Sequence, residues 1–391
     1  MKQTIHPLCR VKISHAALQE NYLQLRAYAE RIPPPVYCVG AQRATPICVL
    51  KADAYGHGAA GCARALAAVG AELFAVATVS EALLLRAALP EAGILILSPV
   101  AAEDAPVLAY HRITATAGSA QDIRAYAAAV RRAIARGELP RGAALCCHVK
   151  LDTGMHRLGF PAAHRREGKE TVYALRALSP LPGVRLCGVY THPAAADDPR
   201  SPMTEEQVRS FFRMRRGLGE GYAYHFSNSA AALSLGTLGL SHYRLGIALY
   251  GIPPGESFPP PLAPCLRAVA TVETRLTRVF TLRGGERLGY GGDFCARRDT
   301  RIGVAAIGYA DGLPRAATGA ALLVRGKPCR IVGRICMDQC MLDLGSTPAE
   351  RGERVVVTEE SGKQLLALAH RAGTIPYELL CHLSRRGETA P

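Results

Sequence analysis

The sequence predicts an α/β chain in which a (β/α)8 TIM-type barrel is followed by a smaller, mostly-β C-terminal domain. Three observations carry that expectation. Short runs rich in Val, Ile and Leu recur between helical stretches, as parallel strands buried on both faces require. Eight such units fit within ~240 residues, the usual extent of a closed barrel. After a stretch carrying six prolines, from Gly251 to Pro264, the pattern changes to strands separated by Gly-containing turns.

Met1 to Ser14 reads as a strand and lacks the apolar core of a secretory signal. Ile32 to Thr45, with Pro33, Pro34 and Pro35 in succession, reads as a surface excursion before the first barrel strand. Barrel strands are expected at Pro46–Lys51, Leu73–Val79, Gly93–Ser98, Arg112–Thr116, Leu145–Leu151, Arg185–Thr191, Ala223–Ser227 and His242–Ala248. Helices are expected between them at Gly61–Val69, Glu81–Ala88, Ser119–Arg136, Ala162–Leu178 and Thr204–Gly217, several opened by Ser or Thr caps with acidic residues following. The prolines of Gly251 to Pro264 can continue neither a helix nor a central strand, so that stretch is a linker. Beyond it strands are expected at Leu266–Val279, Ile302–Gly308, Ala321–Val324, Cys329–Ile335 and Arg354–Thr358, with one clear helix, Lys363–Ala372. The 391 residues exceed the roughly 250 to 300 at which one core stops growing. Two domains follow: 11–262 as the barrel and 263–391 as the β-rich unit, with residues 1–10 pairing with the latter.

Composition removes several function classes. At 49% hydrophobic and 20% charged residues, extensive disorder is excluded. The formal charge of +15 raises nucleic acid as a partner, but the basic clusters are short, as in Arg131-Arg132, Arg165-Arg166 and Arg385-Arg386, and no nucleic-acid partner is expected. No window reaches the ~18 apolar residues of a membrane span. Thirteen cysteines are scattered, and Cys336-x3-Cys340 has no second pair or His at ligand spacing, so no metal site is expected. Free thiols used as small core residues fit a reducing cytoplasm.

Reactive groups of a (β/α)8 barrel sit where the strands end at the C-terminal face. Lys51 ends strand one, Lys150 ends strand five with Asp152 and Arg157 just beyond, His192 follows strand six, Asn228 and Ser229 follow strand seven, and strand eight carries Arg244 before Gly246 and Ile247. Singly, each has a bland reading: Lys51 a rim charge, His192 a satisfied core histidine, Arg244 a salt-bridge partner. Five strand ends agreeing on one mouth outweigh those readings. Loops after strands seven and eight commonly seat a phosphate on backbone N–H groups, and Ser229, Gly246 and Ile247 stand there. A mouth lysine beside a phosphate seat points to pyridoxal 5′-phosphate, with the phosphate-sugar barrels still open at this point.

The run Lys51-Ala52-Asp53-Ala54-Tyr55-Gly56-His57-Gly58 resembles the cofactor-attachment signature of bacterial alanine racemases, fold-type III pyridoxal 5′-phosphate enzymes. Eight further blocks agree in order, among them Lys150 to Gly159, Gly188 to His192, Asn228-Ser229, Arg244 to Ile247, Gly289-Tyr290-Gly291, Gly308 to Gly312, Gly333 to Asp338 and Gly373 to Tyr377. Together they span about Val11 to Leu383.

The resemblance implies a pyridoxal 5′-phosphate-dependent racemase that interconverts L- and D-alanine by two bases and supplies D-alanine for peptidoglycan. Lys51 would hold the cofactor and serve the D face of the α-carbon, while Tyr290 of the partner subunit in a homodimer would serve the L face. A planar carbanion must lose a proton on one side and regain one on the opposite side, which a single fixed base does poorly. Arg244 is implied to face the pyridine nitrogen. A permanently charged guanidinium is a poor proton donor, so the ring would be a restrained electron sink. Tyr55, Asn228, Ser229, Gly246, Ile247 and Tyr377 are implied around the cofactor and its phosphate, and Arg157 at the ring oxygen and substrate carboxylate. Met337, flanked by Cys336 and Asp338, would offer a backbone N–H to that carboxylate, Tyr309 would narrow the entrance, and His192 would link Tyr290 to Arg244. Lys150 is often carbamylated in the family.

Two positions depart from the family pattern: Pro193 stands where an aromatic residue is usual and Leu245 where proline is common. The nearest rival is a serine or broad-spectrum racemase, because an apolar pocket rejects an added hydroxyl weakly. Tyr377 favours alanine, since serine-preferring relatives tend to place asparagine there. A non-catalytic pyridoxal-phosphate protein on a similar barrel would lack the second domain.

Overall fold

The structure is a computed structural model that describes residues 8–34, 44–198, 200–255, 265–383 and 388–390. The middle of the Pro-rich excursion, most of the linker and the first seven residues lie outside the described residues. Strand β1 (Arg10–Ile13) leads into the helix His15–Arg31, whose N-cap Ser14 accepts a hydrogen bond from Ala17 N at 3.2 Å. Eight parallel strands then follow: β2 (Thr45–Val49), β3 (Leu73–Val76), β4 (Gly93–Ile96), β5 (Ala115–Ala117), β6 (Leu145–Asp152), β8 (Val184–Tyr190), β9 (Ala223–His225) and β10 (His242–Leu245), with a short β7 (Phe160–Pro161) beside β6. Their order is β4-β3-β2-β10-β9-β8-β6-β5, and a bridge between Leu95 and Thr114 brings the two ends together. This is the expected barrel, with Phe74, Ala75 and Val76 of β3 all fully buried, as a strand covered on both faces must be.

Helices start where caps allow them. Thr78 and Glu81 form a capping box on the helix Val79–Ala88, Ser119 accepts from Asp122 N at 3.1 Å, and Asn228 accepts from Ala231 N at 2.9 Å. Strand β2 stops two residues short of the expected Lys51, because a left-handed turn begins there. Ala52, Asp53, Ala54 and Tyr55 carry φ of 53°, 51°, 57° and 54°. For residues with a Cβ that conformation costs about 1–2 kcal/mol each, so neighbours must hold it. Ala52 N donates to Glu81 Oε1 at 2.7 Å, Ala59 N donates to Asp53 Oδ1 at 2.6 Å, and His57 Nδ1 donates to Ala54 O at 2.8 Å. Burial drives the His57 pKa down to about 4, so the ring is neutral. Ala52 is exposed, and Ala52→Gly is expected to raise stability by about 1 kcal/mol by removing left-handed strain. Urea unfolding checks this, and an unchanged or lowered midpoint would contradict it.

The second sheet contains β11 (Ala270–Leu282), β14 (Thr300–Ala305), β15 (Ala321–Val324), β16 (Lys327–Val332), β17 (Cys340–Asp343), β18 (Arg354–Thr358) and β19 (Glu388–Ala390), while β12 (Arg287–Leu288) and β13 (Phe294–Cys295) form a separate hairpin. Its order is β14-β17-β16-β15-β18-β11-β1-β19, and β14 also pairs with β11. Strand β1 joins it antiparallel to β11, with Arg10 opposite Glu273 and Ile13 opposite Ala270, so residues 10–13 belong to this sheet and the chain leaves it at Ser14. Two helices follow, Lys363–Ala372 and Pro376–Leu383, the second packed against the left-handed turn.

Barrel and sheet share one contiguous buried apolar cluster, with a smaller one around Leu288, Ile302 and Met341. Buried Asn21 locks the two ends of the linker: its Nδ2 donates to Leu249 O at 2.9 Å and Arg267 O at 2.8 Å, and its Oδ1 accepts from Arg267 N at 2.9 Å.

Candidate active site

A cavity of about 770 Å³ opens at the C-terminal ends of the barrel strands. Lys51, Lys150, Arg157, His192 and Arg244 all line it, as do Tyr55, Asn228, Ser229, Gly246, Ile247 and Tyr377. Five strand ends thus meet at one mouth, as a barrel of this kind arranges them. Its outer wall comes from the second domain: Leu366, Ala369 and His370 of one helix, then Thr374 to Tyr377. The described end of the linker, Pro253 to Gly255, closes another side.

Arg244 is the electrostatic centre. It is 3% exposed, and its partners are carbonyls and imidazoles. Nη2 donates to Phe226 O at 2.7 Å and Thr191 O at 2.8 Å, and Nη1 lies 2.8 Å from His225 Nδ1. The guanidinium also sits 5.4 Å from the Tyr190 ring centroid. Burial lowers its pKa to about 10, leaving it charged at neutral pH. The cation fixes its neighbours: His225 must accept at Nδ1, so its proton is on Nε2, which donates to His148 Nδ1 at 2.9 Å. Nη2 faces His192 Nδ1 at 3.4 Å, which places the His192 proton on Nε2 in the same way. Burial, then the charges of Arg244, Lys150, Arg157 and Lys51, push the His192 pKa well below its usual value.

Two lysines share this positive field. Burial lowers the Lys51 pKa, and Arg157 lowers it further. Lys150, 5% exposed, falls to about 7, through burial first and then Arg244 and Arg157, with its Nζ 5.0 Å from the Tyr190 centroid. Arg157 is carried by a loop that Asp152 turns, its Oδ1 accepting from Gly154 N and His156 N, both at 3.0 Å. Gly159 completes the loop at φ +125°, where a Cβ would lie 2.7 Å from Asp152 N.

The opposite end of the cavity is a hydroxyl cradle. Gly246 N donates to Ser229 Oγ at 2.8 Å, and a Cβ at Gly246 would come 2.8 Å from the Tyr55 hydroxyl. Tyr55 in turn packs between Tyr250, 4.8 Å away between centroids, and Tyr377, 6.2 Å away. Burial raises the pKa of both Tyr55 and Tyr377, so each keeps its O–H as a donor. The residues present therefore fit pyridoxal 5′-phosphate: donors and a glycine-made space for an anionic end, a lysine whose pKa burial and Arg157 lower, and a buried cation for the ring.

The second-domain residues expected at the site lie elsewhere in this chain. Tyr290, Tyr309 and Met337 are 68%, 45% and 53% exposed, and Cys336 and Asp338 flank Met337; none of the five lines the cavity. Tyr309 and Met337 share one loop cluster, since Tyr309 N donates to Cys336 O at 3.1 Å and Ala310 N to Met337 O at 3.0 Å. Tyr290 stands in the β12–β13 turn between Gly289 and Gly291, at φ of 72° and 71°.

Two supporting residues escaped sequence reasoning. Glu81 clamps the left-handed turn to the helix Val79–Ala88, its Oε2 also accepting from Ala77 N at 2.8 Å. Gln207, 2% exposed, fixes the loop after β8: Nε2 donates to His192 O at 3.0 Å and Oε1 accepts from Ala194 N at 2.8 Å. For Glu81 the Thr78-x-x-Glu81 spacing signals a helix start but not the clamp on the turn, and for Gln207 the only signal was a polar residue beside the apolar Val208 and Phe211. Pro193 is buried in the cavity wall and Leu245 is fully buried, so both departures from the family pattern are packed inside rather than left at the rim.

Two family models match the chain: "Alanine racemase, N-terminal domain" over residues 13–254 and "Alanine racemase, C-terminal domain" over 269–390. The chain is 39% identical over 384 residues to the catabolic alanine racemase of Pseudomonas aeruginosa, covering 96% of this chain and 97% of that one. It is 37% identical over 345 residues to the alanine racemase of Staphylococcus epidermidis, covering 88% and 87%. Among solved structures, the alanine racemase of E. faecalis superposes with a TM-score of 0.84 at 32% identity, covering 99% of both chains. The biosynthetic alanine racemase of Pseudomonas aeruginosa gives 0.84 at 31%, covering 98% and 99%.

Proposed function

The chain belongs to the alanine racemase family of isomerases, and from that premise we propose a pyridoxal 5′-phosphate-dependent, two-base racemisation of alanine in the cytoplasm of the cell, with active sites shared across a homodimer and D-alanine destined for peptidoglycan. The observation that carries the reading is the convergence of Lys51, Arg244 and the Tyr55–Ser229–Gly246 cradle in one cavity.

When bound, the cofactor supplies an electron-accepting ring conjugated to the substrate amine, which acidifies the α-carbon. The protein's residues do the rest. Tyr55, Ser229, Gly246, Ile247 and Tyr377 hold the phosphate, with Asn228 opening the short helix that positions Ser229. Lys51 anchors the cofactor and moves the proton on one face of the α-carbon, a task that its lowered pKa suits by increasing the neutral amine fraction. Tyr290 of the partner subunit moves the proton on the other face, beside the Nε2–H of His192. Arg157 and the backbone N–H of Met337 from the partner subunit orient the substrate carboxylate, and Tyr309, next to Met337, narrows the entrance.

Arg244, which stays charged, gives the ring nitrogen no proton and so restrains electron flow, which disfavours loss of carbon dioxide. Lys150 takes up carbon dioxide as a carbamate. Its pKa of about 7 leaves much of it as the nucleophilic amine; a C–N bond forms, one proton leaves, and the resulting anion faces Arg157. Tyr377 at the cradle supports alanine over serine as the preferred substrate.

An amino-acid panel in deuterated buffer tests this, scoring α-proton exchange and chirality together. Alanine is expected to exchange fastest and to lose its optical activity. Faster turnover of serine would shift the assignment to the broad-spectrum reading, and retained α-protons in every amino acid would overturn it.

A further inference from the structure

Twelve cysteines lie among the described residues, and two of them differ from the rest in their surroundings. Cys146 on β6 and Cys187 on β8 occupy neighbouring strands near the N-terminal end of the barrel, the end opposite Lys51. Cys146 pairs in register with Arg185, and Leu186 with Cys147, but the next pair is His148 with Gly188. Cys187 is therefore the extra residue of a β-bulge, and a bulge re-aims the side chain it carries. Both sulfurs are half-buried, and Arg185 is exposed.

The chemistry around them is asymmetric. Arg185 Nη2 donates to Cys146 Sγ at 2.8 Å, while Cys187 Sγ donates to Arg185 O at 3.2 Å. The Cys187 thiol also interacts with the Cys146 sulfur, and these contacts hold the Cys146 thiol below its ordinary range in spite of partial burial. The neighbouring Cys147 shows the contrast: it is fully buried with its pKa raised by burial, as are those of Cys48, Cys62 and Cys340. A guanidinium-paired, partly accessible sulfur beside a protonated thiol is the arrangement of an attacking and a resolving cysteine.

We infer that Cys146 and Cys187 form an oxidisable dithiol at the N-terminal end of the barrel, with hydrogen peroxide as the oxidant class and a disulfide as the product. The Cys146 thiolate attacks one peroxide oxygen; the S–O bond forms, the O–O bond breaks, and hydroxide leaves. The resulting sulfenic acid is attacked by Cys187; the S–S bond forms, the S–O bond breaks, and hydroxide leaves with the proton that Cys187 gives up. Two thiols lose two electrons and the peroxide becomes two waters. Nothing in this chemistry uses the cavity residues, so it does not rest on the proposed racemase mechanism.

The test treats the holoenzyme with a small excess of hydrogen peroxide, blocks remaining thiols, and maps peptides without reduction. The expected first product is the peptide pair joined through Cys146 and Cys187, ahead of oxidation at the exposed Cys265 and Cys295. In Cys187→Ser, a smaller change at the same bulge, the reaction stops at a sulfenic acid on Cys146 that a cyclic diketone traps. Arg185→Gln is expected to slow the reaction by roughly tenfold. Both thiols still blocked by the alkylating agent after Cys265 and Cys295 have oxidised would overturn the inference, and so would no slowing in Arg185→Gln.

Discussion

Lys51→Ala is expected to abolish racemisation in both directions, by ~10⁴-fold or more, and to remove the visible absorbance of bound cofactor from the purified protein. The size follows from two functions on one side chain. Lys51 is the residue at which β2 gives way to the left-handed turn, so its position is set by the strand behind it and by Glu81 and Asp53 beyond it. Burial, with Arg157 adding to it, also lowers its pKa and so raises its neutral amine fraction. Lys150 does not replace it: although its pKa is lowered to about 7, it is carried by β6 and buried against Tyr190, its Nζ 5.0 Å from that ring's centroid. The fold is expected to tolerate the change, because the left-handed turn is held through Ala52 N and Asp53 and not through any printed hydrogen bond of the Lys51 side chain among the described residues. A variant that keeps both absorbance and activity would refute the anchor assignment.

The barrel was legible because its signal is local. Strands buried on both faces cannot hide their Val, Ile and Leu, and Ser119 marks the start of the helix Ala120–Ala135. Thr78 fell inside the expected strand Leu73–Val79 and Asn228 was read only as a strand-end residue, so one helix start was placed late and the short helix Ser229–Leu235 was missed. The helix His15–Arg31 was not, because its buried stripe runs Ala17, Leu18, Asn21, Tyr22, Leu25, Ala29 and contains an asparagine that is polar for a reason visible only in space: it locks carbonyls more than two hundred residues away. The helix Pro376–Leu383 and strand Cys340–Asp343 were also missed, each too short to show a period. At the site, residues at strand ends could be read from position alone. Glu81 and Gln207 could not, since they bond backbone groups up to 29 and 15 residues away and touch the chemistry only through loops they hold.

The second prediction of large effect concerns Tyr290. In a single chain it is 68% exposed in a turn outside the cavity, so if it supplies the second base, it must come from another copy, and each site needs both chains. Because L- and D-alanine have equal free energy, Tyr290→Phe must lower net racemisation equally in both directions, by ~10²–10⁴-fold. The asymmetry appears in exchange instead. Lys51 alone still takes and returns the α-proton on its own face, so D-alanine is expected to exchange its α-proton with deuterated solvent without inverting, while L-alanine hardly exchanges. Mixing Lys51→Ala and Tyr290→Ala subunits then gives the decisive case. Random reassortment in equal amounts makes about half the dimers mixed, and each mixed dimer holds one site with both bases intact, so about one quarter of the original activity is expected to return. Mixed dimers verified by mass, yet inactive, would place both bases in one chain or remove Tyr290 from the reaction.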